Sequence, residues 1–242
     1  MAADRPASTQ RRRRTLYGRR KGHRLRAGQQ ARLDAALATF GISLPPPGRL
    51  DPAAMFVPPA EATWIEIGFG GGEHLAHMAA AQPERGFIGC EPYVNGVASL
   101  AKAIENAGLN NIRLFMGDGL ELLDALPAAS IAGLFLLFPD PWPKTRHHKR
   151  RFIQPQALDA LARILRDRAT LVFATDHMEY ARWTLAHVLA HGAFDWPAEG
   201  PRDWRRAGDT PPTRYEIKSA AAGRPSVYLR FIRRPRGAAN SA

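Results

Sequence analysis

The sequence predicts an α/β fold: a mostly parallel, seven-stranded sheet with helices on both faces, finished by a terminal antiparallel hairpin. Three observations carry that prediction. From about Thr63, short apolar runs alternate with longer amphipathic ones. One run, Ile131 to Phe138, is apolar without interruption, as a central strand covered on both faces must be. Two β-like runs then close the chain. In order, Trp64–Gly68 is a strand that ends in glycines, and Glu73–Ala81 is helical. Phe87–Glu91 is the second strand. Val94–Asn106 is helical, with Val97, Leu100 and Ile104 spaced for one face. Ile112–Met116 is the third strand, followed by a short helix over Gly119–Ala125. After the central run, Gln156–Leu165 is helical and Thr170–Ala174 is the fifth strand. Glu179–His191 is helical, with Ala181, Leu185 and Val188 on one face. Arg214–Lys218 and Val227–Ile232 are the two late strands.

The chain has 242 residues, 45% of them apolar, which suits one α/β domain with a full core. Residues 1–30 read as a flexible basic arm and 31–62 as a lead-in. The lead-in holds a short helix over 31–40 and the break at Pro45, Pro46 and Pro47. The main domain spans 63–235, and 236–242 form a tail. A single cysteine, Cys90, excludes an internal disulfide and a Cys-rich zinc site; it reads as a small buried residue in a reducing, cytoplasmic setting, and no metal is expected. The longest apolar run is too short to span a membrane. The N-terminus has no apolar stretch after its charges and no apolar face, which argues against a secretory signal and against a transit peptide.

The net charge of +12 is unevenly placed. Residues 1–30 carry ten Lys or Arg against one Asp, including Arg11 to Arg14, Arg19, Arg20 and Lys21. Residues 31–200 carry fourteen bases and eighteen acids, and residues 201–242 ten bases and three acids. Basic ends around a mildly acidic body form an electrostatic footprint for a polyanion such as nucleic acid.

Glu66-Ile67-Gly68-Phe69-Gly70-Gly71-Gly72 turns the first strand into the first helix of the domain. Glycines there let a ligand approach the backbone at the carboxyl end of the sheet. The dinucleotide spacing G-x-G-x-x-G fails, because its last position falls on Glu73 or Leu75. The phosphate loop fails too, for no Gly-Lys-Ser/Thr follows. An acid two residues before Gly68 would repel a phosphate and attract a cation. S-adenosylmethionine carries a sulfonium and an ammonium and no phosphate. Glu91 at the end of the second strand is placed to accept two ribose hydroxyls, and Asp118 after the third to accept the adenine amine. Each acid alone is better read as a helix cap or turn; three at successive strand ends reverse that and point to this cofactor.

The central strand ends Phe138-Pro139-Asp140-Pro141-Trp142-Pro143-Lys144. Prolines on both sides restrict the Asp140 backbone and present a rigid carboxylate. The run Lys144, Arg146, His147, His148, Lys149, Arg150 and Arg151 reads as a phosphate grip beside it.

The first glycine segment, the Phe138–Lys144 motif with Lys149-Arg150-Arg151, Thr175-Asp176 and Thr213-Arg214-Tyr215-Glu216 resemble the bacterial tRNA (guanine-N7)-methyltransferases. Tyr17-Gly18-Arg19-Arg20-Lys21-Gly22 resembles that family's entry segment, so the likeness runs from about Tyr17 to Ile232. It implies a Rossmann-like class I S-adenosylmethionine-dependent methyltransferase acting on the tRNA variable loop. It implies cofactor contacts at Glu66, Gly68, Gly70, Glu91, Asp118 and Asp140, a catalytic role for Asp140, and substrate contacts at Lys144, Asp176, Thr213, Arg214, Tyr215 and Glu216. Two of these have plain structural alternatives: Asp176 with Glu179 as a helix-capping pair, and Thr213–Glu216 as the opening of a strand. The family's Arg upstream of Thr213 is replaced by Thr210-Pro211-Pro212, and Arg205 or Arg206 is expected to stand in for it.

Guanine N7 presents an in-plane lone pair with no proton to lose, so its methylation needs no general base. That suits a sequence without a conspicuous His–acid pair at the strand ends. Two other readings compete. One is a methyltransferase for a base amine, whose motif at the same strand end is Asp/Asn-Pro-Pro-aromatic. The other is a binding protein that has lost catalysis. A monomer is the expected state, with a homodimer as the alternative.

Overall fold

The computed structural model describes residues 17–237, apart from Arg19, Lys21 and Asp209. Most of the basic arm, including Arg11 to Arg14, therefore lies outside the described residues, as do residues 238–242 of the tail. The elements run α1 (Ala27–Phe40), β1 (Thr63–Ile67), α2 (Glu73–Ala81), β2 (Gly86–Cys90), α3 (Val94–Ala107), β3 (Ile112–Phe115) and α4 (Gly119–Ala125). They continue β4 (Ile131–Leu137), α5 (Pro155–Ile164), β5 (Leu165–Thr175), α6 (Met178–His191), β6 (Phe194–Asp195), α7 (Arg214–Ala221) and β7 (Val227–Arg233).

The seven strands form one sheet in the order β3-β2-β1-β4-β5-β7-β6. Strands β1 to β5 are parallel; β7 is antiparallel to both β5 and β6. The strand order reverses between β1 and β4, and a crevice opens at such a switch point beyond the carboxyl ends. The uninterrupted apolar run of β4 follows from its place at the centre. Leu134 and Leu136 face the core beneath α4, α5 and α6, whereas Phe135 and Leu137 face the core beneath α1, α2 and α3. Gly133 has no side chain because the Trp64 ring occupies that space; a Cβ would collide with it.

The structure departs from the sequence reading in four places. Arg214–Lys218 is not a strand. The Thr213 hydroxyl accepts a hydrogen bond from Glu216 N at 3.1 Å and starts a helix there. The alternation of Tyr215 and Ile217 that reads as a strand places both side chains on the surface of α7. The antiparallel partners of β7 are therefore β5 and β6, and β6, at two residues, is too short to show periodicity. Strand β5 begins five residues early, its charged Arg166-Asp167-Arg168 hiding the strand pattern. Helix α1 begins at Ala27, four residues before the expected start.

Candidate active site

At the carboxyl ends of β1, β2 and β4 lies a cleft of about 460 Å³, lined by Gly68, Gly70, Glu91, Asp118, Asp140 and Tyr215 among others. A smaller cavity of about 170 Å³ adjoins it, lined by Glu66, His74, Phe138, Thr213, Arg214 and Tyr215 among others. The glycine turn shapes both. Gly68, Gly70 and Gly72 have φ of 73°, 56° and 81°, the left-handed region that side chains avoid. A Cβ on Gly68 would meet open space, so a ligand can reach the backbone there. A Cβ on Gly96, in the first turn of α3, would collide with the Gly70 carbonyl.

Three acids end three successive strands. Glu91 is buried and accepts hydrogen bonds from Gly70 N (2.8 Å) and Tyr93 N (2.9 Å). Burial pushes its pKa up; those two bonds oppose the shift, and the Asp140 and Glu66 charges add to it. Asp118 caps α4, its Oδ1 accepting from Leu120 N at 3.0 Å. Glu66 is buried against His74, with 2.7 Å between Oε2 and Nδ1. The sequence reading saw no His–acid pair at the strand ends, and here is one: the glycine turn folds α2 back so that its first turn sits over the end of β1. Burial disfavours the imidazolium, but the Glu66 charge and hydrogen bond outweigh it, and the His74 pKa is raised.

Asp140 follows β4. Phe138 and Trp142, two residues away on either side, hold φ of 50° and 44°, rare for side-chain-bearing residues. Asp140 opens to the cleft, yet the surrounding protein still desolvates its carboxyl and pushes the pKa up. Arg151 secures this loop. Its Nε donates to the Pro141 carbonyl at 2.9 Å, its guanidinium grips both oxygens of Glu179, and it lies over the rings of Tyr180 and Trp183. At 1% exposure Arg151 is a structural cation and no part of a phosphate grip. Arg150 sits between the Tyr17 and Trp142 rings, 4.9 Å from each centroid. Lys144, Arg146 and Lys149 are exposed.

On the opposite wall stands α7. Asp176 Oδ2 accepts from Ser219 Oγ (2.6 Å) and Arg224 Nε (2.8 Å). Glu216 accepts from the Tyr228 hydroxyl (2.8 Å) and from Arg206 Nε. Arg214 pairs with Glu73 at 2.6 Å.

A family model described as "Putative methyltransferase" matches residues 60–229. A tRNA (guanine-N(7)-)-methyltransferase of Rhodospirillum rubrum is 52% identical over 227 residues, 92% of this chain and 89% of that protein. Its counterpart in Rhizobium meliloti is 48% identical over 219 residues, 90% of this chain and 94% of that one. The chain belongs to the tRNA (guanine-N(7)-)-methyltransferase family. Solved structures agree on the fold. The 16S rRNA methyltransferase KamB superposes with a TM-score of 0.52 at 16% identity, covering 73% of this chain and 89% of its own. An antibiotic-related methyltransferase gives 0.50 at 17%, covering 72% and 87%.

Within this methyltransferase, the structure gathers Gly68, Gly70, Glu91, Asp118, Asp140, Arg214 and Tyr215 around the cleft, with Glu66 and Thr213 in the adjoining cavity. It does not bring Lys144, Asp176 or Glu216 to either. Asp176 and Glu179 do not cap α6 as a pair; that cap is His177, whose ring accepts from Tyr180 N at 3.4 Å. Of Arg205 and Arg206, it is Arg206 that pairs with Glu216. His74 is a site residue that the sequence reading does not name, and Arg151, Glu179 and Phe138 take roles other than the phosphate grip, the helix cap and the motif position read for them. Only His74 left a local trace, in the turn that follows the glycines. Among the described residues, no group of three or more His, Cys, Asp or Glu could hold a metal ion, and no helix is long and apolar enough to cross a membrane.

Proposed function

We propose that the methyltransferase transfers the methyl group of S-adenosylmethionine to N7 of a guanine in the variable loop of tRNA, and that it works in the cytoplasm. The observation that carries the reading is the set of carboxylates, Glu91, Asp118 and Asp140, converging on one glycine-floored cleft at the switch point of the sheet. This donor set fits a ligand with cationic groups and no phosphate. Beyond the bonds from Gly70 and Tyr93, the Glu91 carboxylate keeps lone pairs for two ribose hydroxyls. Asp118 Oδ2 is free of the capping bond made by Oδ1 and can accept an adenine amine. The open face of Gly68 leaves room for a ligand against the backbone.

S-adenosylmethionine supplies an electrophilic methyl group on a sulfonium. The protein's own task is to hold N7 in line with it and to meet the positive charge that methylation places on guanine. Asp140, fixed between two prolines and by the Arg151 bond to Pro141, is the carboxylate placed to do so. It must be ionised to act, so turnover declines as pH falls through its raised pKa.

The test uses purified protein, unmodified tRNA transcript and labelled S-adenosylmethionine, followed by nucleoside mass spectrometry. The expected product is 7-methylguanosine. Asp140→Asn should lower turnover by about a hundredfold or more. A methylated adenosine in place of 7-methylguanosine would overturn the assignment, and full turnover in the variant would overturn the role of Asp140.

A further inference from the structure

Phe138 is the last residue of the apolar run and the first to leave the sheet. It does so at φ 50°, a left-handed conformation that a bulky side chain rarely adopts and that persists only where its surroundings enforce it. The ring it presents lies nearly parallel to Tyr215, at an interplanar angle of 17° with centroids 6.5 Å apart. That separation lies at the far end of the range for a direct aromatic pair. A third ring in van der Waals contact with both needs about 7 Å, so Tyr215, half exposed on α7, has to move outward by about 0.5 Å or more to admit one. Both rings line the main cleft and the adjoining cavity.

The two rings are braced from behind. Tyr228 packs edge-on against Phe138, with centroids 6.1 Å apart at 81°. The Tyr228 hydroxyl is tied to Glu216, and Glu216 to Arg206. Tyr215 rides on α7, which Thr213 caps, Ser219 pins to Asp176, and Arg214 ties to Glu73. Polar residues that the motif would assign to the substrate thus fix the relative position of two aromatic faces. The Tyr215 hydroxyl is held protonated first by burial and then by the Glu91 and Asp140 charges, so the slot faces a negative field.

We propose that Phe138 and Tyr215 form a stacking slot for the target guanine, and that its ring faces favour the cationic 7-methylated base over the neutral one. The inference rests on the assignment of guanine N7 as the acceptor. The negative quadrupole of an aromatic face attracts a cation placed over it, and methylation at N7 makes guanine one. The slot therefore orients the base in the ground state and stabilises charge as it develops.

The experiment measures inhibition of tRNA methylation by 7-methylguanosine and by guanosine. The wild-type protein should be inhibited by 7-methylguanosine at about tenfold lower concentration. Tyr215→Leu should bring that ratio close to one and lower kcat/KM for tRNA by about tenfold, while Tyr215→Phe keeps the ratio. Phe138→Leu should behave like Tyr215→Leu. Tyr215 is 54% exposed, so its variants keep the fold and decide the matter even if Phe138→Leu does not fold. Equal inhibition by the two nucleosides, no inhibition by either, an unchanged ratio in Tyr215→Leu, or an equal loss of the ratio in Tyr215→Phe would overturn the slot. Failure of the assigned reaction shows separately, as a wild-type protein that makes no 7-methylguanosine.

Discussion

The two walls of the cleft are held by different bonds. On the β2–β3 wall, Glu91 and Asp118 are fixed by backbone N–H groups of Gly70, Tyr93 and Leu120. On the β4–β5–β7 wall, Arg151 meets Glu179, Asp176 meets Ser219 and Arg224, and Glu216 meets Arg206 and Tyr228. A backbone bond follows from the turn that makes it, and a substitution nearby leaves it intact. A side-chain pair has two partners, and losing either strands the other. The first wall should therefore lose ligand affinity when its acids are changed, and the second should lose stability and alignment.

The sharpest break is at Arg151. Arg151→Ala removes a buried cation that also ties Pro141; its partner Glu179 is half exposed and stays solvated, so the cost is that of the lost charge-assisted hydrogen bonds, about 1.5–3 kcal/mol. The loop holding Asp140 loses its tether, and a displacement of about 1 Å there can cost about a hundredfold in rate. Denaturant unfolding and initial rates should both report the loss, with affinity for S-adenosylmethionine falling far less than turnover. A variant of normal stability and rate would place the strut elsewhere.

On the other wall, Glu91→Gln should leave unfolding nearly unchanged and weaken binding of S-adenosylmethionine by about ten- to hundredfold, the worth of a charge-assisted hydrogen bond. Calorimetric titration separates this from an effect on turnover. Acidity sharpens the contrast further. Burial raises the Glu91 pKa, so the free protein gains stability at this site as pH falls, and that contribution is lost as pH rises through the folded pKa. Asp176 is opposite. Burial alone would raise its pKa, but the bonds from Ser219 and Arg224 prevail and lower it. Its contribution is present above the unfolded pKa and is lost as pH falls through the folded one. Mild acid should thus weaken cofactor binding while α7 stays docked. Loss of the Asp176–Arg224 contact at the same pH as loss of cofactor affinity, read by NMR, would contradict the division.

The same division explains what was legible in the sequence. Glycines at a turn, an acid at a strand end and a Pro-Asp-Pro clamp are local patterns, and Glu66, Glu91, Asp118 and Asp140 follow from them. The strands were legible wherever both faces are apolar, as in β4. Arg151 reads as one more base in a basic run, because its partner Glu179 is 28 residues away and only the fold brings them together. Asp176 and Ser219 are 43 residues apart. The helix at Arg214 was missed because Tyr215 and Ile217 alternate like a strand while the deciding signal, the Thr213 cap, is a single hydroxyl. His74 sits eight residues from Glu66 and was within reach of a local reading.

The smallest effect sharpens the comparison at matched chemistry, because each wall has a helix capped by a side-chain oxygen. Asp118 caps α4, whose Leu122 and Leu123 are fully buried in the core, whereas α7 buries only Ser219. Removing either cap costs about 1 kcal/mol locally. In Asp118→Ala that cost passes to the whole domain, because α4 cannot fray without exposing the core, so Tm should fall. In Thr213→Ala the helix can loosen alone, so Tm should hold while Tyr215 loses its fixed position and KM for tRNA rises a few fold. Hydrogen exchange of the Glu216 and Ile217 amides, faster in Thr213→Ala and unchanged in Asp118→Ala, checks that the loosening stays on its own wall. A Tm loss in Thr213→Ala as large as that in Asp118→Ala would mean that α7 is as much part of the core as α4.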